Sequence, residues 1–238
     1  MNKTQSSVMA AVAVVSGFLF SMSAQASMVF SFEAAGVQST TVAGAVTETF
    51  DSVPLGVIGS YTSPTIGGTY TSGRVVTVDQ YGGAGGVGRY DEVGLASGPH
   101  SQTLTFSATK NYFGLWWSAG DVGNQLQFFN GATLVGAFTV GDVIPFLTPA
   151  YYSNPNPPPG RNPSEPYVYL NFTGTGGTVF DKVVFNNPSN SGFESDNHSV
   201  YDQEITPPGT IVPEPSTWMA GIGLCVAMLG TVVQRRRK

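Results

Sequence analysis

The chain has 238 residues, a formal net charge of −5 and only 11% charged residues, with 30 glycines, 16 prolines and one cysteine. So few charges, against roughly 25% in an average domain, point to an exported β-rich protein, and the scarcity of Lys and Arg argues against a nucleic-acid partner. The one cysteine, Cys225, leaves the body without any means of forming a disulfide, so packing alone must hold it.

At the N-terminus Lys3 precedes an apolar stretch from Val8 to Phe20, and Ala24-Gln25-Ala26 has the small-x-small pattern that signal peptidase reads. Residues 1–26 are therefore expected to be a signal peptide, cut before Ser27 after passage through the Sec translocon. Setting aside Lys3, Glu214 and the four C-terminal cations leaves fourteen acidic and five basic residues in 27–211, a net −9. Those 185 residues suffice for one domain with a real core.

Short β-rich runs follow one another between Gly, Pro and Asn clusters. The first five are Met28–Phe32, Val46–Phe50, Arg74–Val78, Thr103–Ser107 and Tyr112–Trp117. Gln125–Phe129, Thr133–Phe138, Tyr167–Phe172 and Val179–Asn186 complete the series. In Gln125–Phe138, Asn130-Gly131 offers the positive φ values of a tight hairpin turn, with Leu126 and Phe128 on one face and Gln125 and Gln127 on the other. Asp181, Val183 and Phe185 are expected on one face, and Phe180, Lys182 and Val184 on the other. With no amphipathic helix between the runs, the fold class is all-β, an antiparallel β-sandwich of jelly-roll type over residues 27–204. The proline-rich stretch from Ala150 to Pro166 is expected to be a long exposed, inert loop, and residues 205–215 a spacer.

Several patterns call for a chemical test. Gly83-Ala-Gly-Gly-Val-Gly88 spells a dinucleotide fingerprint, but no helix is expected after it and no Lys-Ser or Lys-Thr follows, so it reads as a flexible surface loop. His100 and His198 lie far apart with no cysteine in the body, which argues against zinc. Glu194, Asp196, Asn197 and Asp202 supply oxygen ligands that suit calcium as a cofactor; solvated acids are the plainer reading. For glycoside hydrolysis Glu48 or Asp51 would have to oppose Glu194 and Asp196, yet no feature selects such a pair. There is no G-x-S-x-G nucleophile elbow, and no enzyme activity is expected. Adjacent Trp116 and Trp117 must point to opposite faces of a strand. Tyr167 and Tyr169 share a face opposite Val168, Leu170 and Phe172, so Trp116, Tyr167 and Tyr169 are the candidate aromatic platform for a sugar.

The C-terminus is the most specific segment. Pro213 and Pro215 hold Glu214 in extended chain, the form a protease cleft reads. Trp218–Val233 is an uncharged run of 16 residues, just short of the roughly 17 to 25 of a usual membrane span, so residues 216–238 are expected to form one short transmembrane helix with a basic tail. Arg235, Arg236, Arg237 and Lys238 would stay cytoplasmic and the body would lie across the membrane. Cys225, inside the apolar run, reads as a small membrane-helix residue rather than a lipidation site.

Val212-Pro213-Glu214-Pro215, the short apolar segment and the arginine cluster together resemble the PEP-CTERM sorting signal of Gram-negative bacteria. The resemblance implies exosortase as partner, transient inner-membrane anchoring, cleavage at or near Pro213-Glu214-Pro215, and release to the cell surface or extracellular matrix. Tyr112-Phe-Gly-Leu-Trp-Trp-Ser118, the Asn130-Gly131 hairpin and Gly192-Phe-Glu-Ser-Asp-Asn197 are similar, in that order, to a pattern among exosortase-dependent surface proteins. The closing strand also resembles the end of galactose-binding-like jelly rolls, an analogy of architecture only. The chain is expected to have a structural or exopolysaccharide-associated role, with a carbohydrate-active envelope enzyme as the alternative.

Overall fold

A computed structural model describes residues 27–95, 97–189 and 191–212. In chain order the strands are β1 (Ser27–Phe32), β2 (Val46–Glu48), β3 (Gly56–Val57), β4 (Ser60–Thr62), β5 (Gly68–Thr71), β6 (Arg74–Thr77), β7 (Arg89–Gly94) and β8 (Ser101–Lys110). They continue with β9 (Tyr112–Ser118), β10 (Gln125–Asn130), β11 (Thr133–Thr139), β12 (Tyr152–Asn154), β13 (Arg161–Pro166), β14 (Val168–Thr175), β15 (Phe180–Asn186), β16 (Gly192–Tyr201) and β17 (Thr210–Ile211). A larger sheet runs β17-β1-β14-β9-β16-β7-β6-β3, with β2 also on β16. A smaller one runs β11-β10-β15-β8-β5-β4, and β12 pairs with β13 alone. Every pairing is antiparallel.

The two sheets form a sandwich because alternate side chains of each are apolar and meet in the middle. Phe113, Leu115 and Trp117 of β9 and Val168, Leu170 and Phe172 of β14 face Leu126 and Phe128 of β10 and Val183 and Phe185 of β15. Phe128 touches both Phe113 and Phe172 across the interface, at centroid distances of 6.0 and 4.9 Å. The Trp117 indole N–H, buried with the rest, donates to Asn124 Oδ1 at 2.8 Å. All nine expected strands are present, with boundaries shifted by up to a few residues.

The differences have local causes. The hairpin turn places Gly131 and Ala132 between the paired Asn130 and Thr133, and Gly131 takes the positive φ, 58°. Phe180 is buried beside Val183 and Phe185 instead of facing away, because the β15–β8 register shifts between Phe180 and Lys182. The expected spacer is partly docked: β17 pairs with β1, the Val212 N–H donates to the Phe30 carbonyl at 2.9 Å, and Val212 joins the core.

Polar groups enter the sandwich on β7 and β16. His198 stacks on Phe185 and hydrogen-bonds Tyr70 and Ser195 with its two ring nitrogens, each at 2.9 Å. Burial lowers its pKa to about 3, so it sits in the core as neutral imidazole. Ser195 and His198, which touch, are both fully buried in the sandwich.

The expected signal peptide, residues 1–26 (Ala24 and Ala26 included), and the expected sorting tail, 213–238 (Pro213, Glu214, Pro215, Arg235, Arg236, Arg237, the membrane helix), lie outside the described residues. Ser27 is the first residue of β1. Among the described residues no helix is long and apolar enough to cross a membrane.

Candidate functional site: an acidic cleft on the larger sheet

The outer face of the larger sheet is covered over one half by loops. Trp116 of β9 and Tyr169 of β14, together with Tyr167 just before β14, form a second buried cluster with Ala119, against which Ala84 packs. The expected exposed platform is therefore corrected: Trp116 and Tyr169 are 0% exposed and Tyr167 2%. The alternation that sends them away from the sandwich interior is right, but a third layer of chain covers that face. Tyr167 Oη donates to the Gln80 carbonyl at 2.7 Å and Tyr169 Oη to Ser199 Oγ at 2.7 Å. Tyr112 Oη donates to Asn171 Oδ1 at 2.7 Å, across Gly114.

That third layer is the Ala150–Pro166 stretch, which carries the β12–β13 pair where the sequence suggests a loop throughout, together with the glycine-rich turn. Buried Asn154 and Asn156 donate to the carbonyls of Gln80 and Gly83 at 2.9 and 3.0 Å. Residues 83–88 make a short 3-10 turn at Ala84–Gly86 rather than the start of a longer helix. The Ala84 N–H donates to Asp196 Oδ2 at 2.8 Å and the Gly85 N–H to Gln38 Oε1 at 2.6 Å. Asp196 Oδ1 accepts from the Asn197 N–H at 2.6 Å, and Asn197 Nδ2 donates to the Gln38 carbonyl at 2.7 Å. Asp196 and Asn197 thus hold the glycine turn, aided by a register shift on β16 where Asn197 has φ 50°. Among the described residues no group of three or more His, Cys, Asp or Glu side chains is arranged to hold a metal ion. Asp202, the fourth calcium candidate, is exposed and accepts from Gln203.

Glu48 and Asp51 are tied up as well. The Glu48 carboxylate accepts from the Phe50 N–H and Tyr61 Oη, and Asp51 accepts from the Arg89 N–H.

Beyond the covered half, the same face opens into a cleft of about 520 Å³. Its floor comes from three neighbouring strands: Arg74 and Val76 of β6, Tyr90 and Glu92 of β7, and Glu194 of β16. The register sets Glu92 directly across from both Glu194 and Arg74. Cross-strand neighbours on one face have Cβ atoms about 5 Å apart, so the two glutamates are near neighbours.

Each wall has its own support. Asp79 Oδ1 accepts from the Tyr81 N–H at 2.7 Å and from Tyr90 Oη at 3.0 Å, which anchors Tyr81, 39% exposed, in the cleft lining. The N–H of Asp121 donates to Asn124 Oδ1 at 3.0 Å, and Asn124 Nδ2 reaches the Gly192 carbonyl at 2.9 Å. Glu165 of β13 accepts from Asn162 Nδ2. Glu194 itself folds back over Gly192, where an added Cβ would lie 1.8 Å from Oε1; only glycine admits this approach.

The electrostatics of the cleft are one-sided. Burial first, then the negative charges of Glu92, Asp121 and Glu165, push the Glu194 carboxyl up to about 9, against the pull of a backbone hydrogen bond. Burial likewise raises Glu165. Of these residues only Glu194 stood out in the sequence; Asp79, Tyr81, Glu92, Asp121 and Glu165 come together through strand pairing and loop closure that no local pattern announces.

Residues 212–238 match the PEP-CTERM protein-sorting motif, so the chain carries a PEP-CTERM sorting domain behind its β-sandwich. The motif makes exosortase the processing partner and export to the cell surface the destination. Comparison with curated proteins and with solved structures gives no match to the chain.

Proposed function

We propose that the processed protein, Ser27 to Val212, works at the cell surface or in the extracellular matrix as a structural, exopolysaccharide-associated protein, with the acidic cleft as its glycan site. In this reading the precursor crosses by the Sec translocon, loses residues 1–26 to signal peptidase and is held briefly in the inner membrane by 216–238. We also read the sandwich as a galactose-binding-like jelly roll. One observation carries the glycan role: an open cleft of about 520 Å³, within the usual size range of ligand sites, pairs the half-exposed Tyr81 ring with carboxylates that accept from hydroxyls. No cofactor is needed for such binding, and no nucleic acid is expected as a partner. The test is affinity electrophoresis of the processed protein through gels containing the host's own exopolysaccharides. Retardation that weakens in Tyr81→Ala supports the reading; free migration through every polymer overturns it.

A carbohydrate-active enzyme is the second reading, and it draws on one feature. Glu194, held neutral at neutral pH beside Glu92, has the character of a general acid next to a second carboxyl. Release of reducing ends that disappears in Glu194→Gln would establish it, whereas we expect binding without turnover.

A further inference from the structure

The cleft's surplus of carboxylates bears on the chemistry of the glycan, and the inference rests on the glycan-binding reading above. Five lining residues are acidic, Asp79, Glu92, Asp121, Glu165 and Glu194, and the one cationic residue lining it is Arg74, whose register partner is Glu92. Acidic clusters on a surface are usually just solvated, but Glu194 is different. It is only 7% exposed, and its Oε2 is buried without a hydrogen-bond partner from the protein. A buried carboxyl oxygen left without a partner costs roughly 1 to 3 kcal/mol, more if charged, which a ligand donor would offset.

Several donors compete for that role. A metal ion favours several ligands converging on one point, and among the described residues no three His, Cys, Asp or Glu side chains are so grouped. A neutral sugar hydroxyl would satisfy Oε2 but leave the cleft's net negative charge as it is. A uronic acid would add to that charge and be repelled. An ammonium group brings three N–H donors and a positive charge, tolerates varied acceptor geometry, and makes charge-assisted hydrogen bonds with carboxylates. The net −9 of residues 27–211 also draws a polycation in from a distance.

We propose that the cleft selects glycans with free amines, that is de-N-acetylated hexosamine units, and that Glu194 is the residue that receives the ammonium. Glu92, Asp79, Asp121 and Glu165 set the surrounding negative potential, while Arg74 limits it and the Tyr81 ring offers an apolar face to the sugar. Gly192 keeps Glu194 in place, since a methyl there would displace the carboxyl from its position over the cleft floor.

The processed protein would be titrated calorimetrically at pH 6.5 with glucosamine tetramer, its fully N-acetylated counterpart, a neutral glucan and a polyuronate. Binding of the glucosamine tetramer at least about tenfold tighter than the others, weakening as NaCl rises, is the expected result. Docking of the ammonium ionises Glu194, whose proton passes to solvent, so Glu194→Gln, which cannot ionise, should lose roughly tenfold or more for the amine tetramer. Because Gln has the shape of the neutral carboxyl it replaces, the fold of Glu194→Gln is expected to persist; Gly192→Ala, which keeps the carboxyl but moves it, should lose affinity in parallel. Equal affinity for the acetylated and free-amine tetramers, or binding of the neutral glucan alone, overturns the amine preference and leaves glycan binding standing. Failure to bind any of the four, together with free migration through the host polysaccharides, overturns both.

Discussion

Replacing Asp91 by Asn tests whether the sandwich interior really holds a neutral acid. Asp91 lies on β7 between Val75 and Ser195 in register and faces the smaller sheet, where its Oδ1 accepts from Gln102 Nε2 at 3.1 Å. Burial, reinforced by the charge of Glu92 and opposed by the Gln102 hydrogen bond, pushes its carboxyl up to about 8 from 3.8. A raised folded-state pKa means the native state keeps a proton that the unfolded chain has lost. The resulting stability is fully present below about pH 3.8 and is lost as pH rises through about 8. Within that window each pH unit removes about 1.4 kcal/mol, so from pH 5 to 7 Asp91 alone costs about 2.7 kcal/mol. Asn has the shape of the neutral acid and does not titrate. Urea unfolding of both proteins, followed by far-UV circular dichroism at pH 5, 6 and 7, should show Asp91→Asn gaining about 2.7 kcal/mol on the wild type across the range. Other titrating groups, including His198, cancel in this difference to a first approximation. Parallel stability curves for the two proteins would refute the argument.

Two further changes probe the covered half of the outer face. Gly114→Ala would put a Cβ 2.3 Å from Tyr112 Oη and 2.8 Å from the Tyr169 ring, so the urea midpoint should fall by the equivalent of about 1 to 3 kcal/mol, the usual cost of overpacking. An unchanged midpoint would mean the tyrosine layer is loose. Tyr167→Phe removes the hydrogen bond to the Gln80 carbonyl and should cost about 1 to 2 kcal/mol while leaving glycan retention unaltered, because the ring is buried. Loss of retention with unchanged stability would restore Tyr167 as a contact residue.

The inner face of the sandwich was largely legible, because Phe113, Leu115, Trp117, Val168, Leu170 and Phe172 obey the two-residue period that a half-buried strand imposes. β7 escaped notice for the opposite reason. Arg89-Tyr-Asp-Glu-Val carries three charges, and Asp91 faces inward where an apolar residue would have announced the strand. The outer face defeats local reasoning altogether. An alternating strand with tyrosines on one side looks solvent-facing, and only the long-range bonds from Asn154, Asn156 and Gln38 reveal the chain that covers them. The cleft was invisible for the same reason, since Glu92 and Glu194 are about a hundred residues apart and become neighbours through β7–β16 pairing. The sorting signal needed no such pairing. It is written in consecutive residues, and that is why it could be read directly.

The sorting signal implies that the segment behind the β-sandwich is removed and the sandwich delivered to the cell exterior. Intact-mass analysis of the protein recovered from the envelope and from the medium tests it most directly. The expected species begins at Ser27 and ends at or near Pro213-Glu214-Pro215, and deleting exosortase should abolish it. A secreted species whose mass still includes Arg235 to Lys238 would contradict the account.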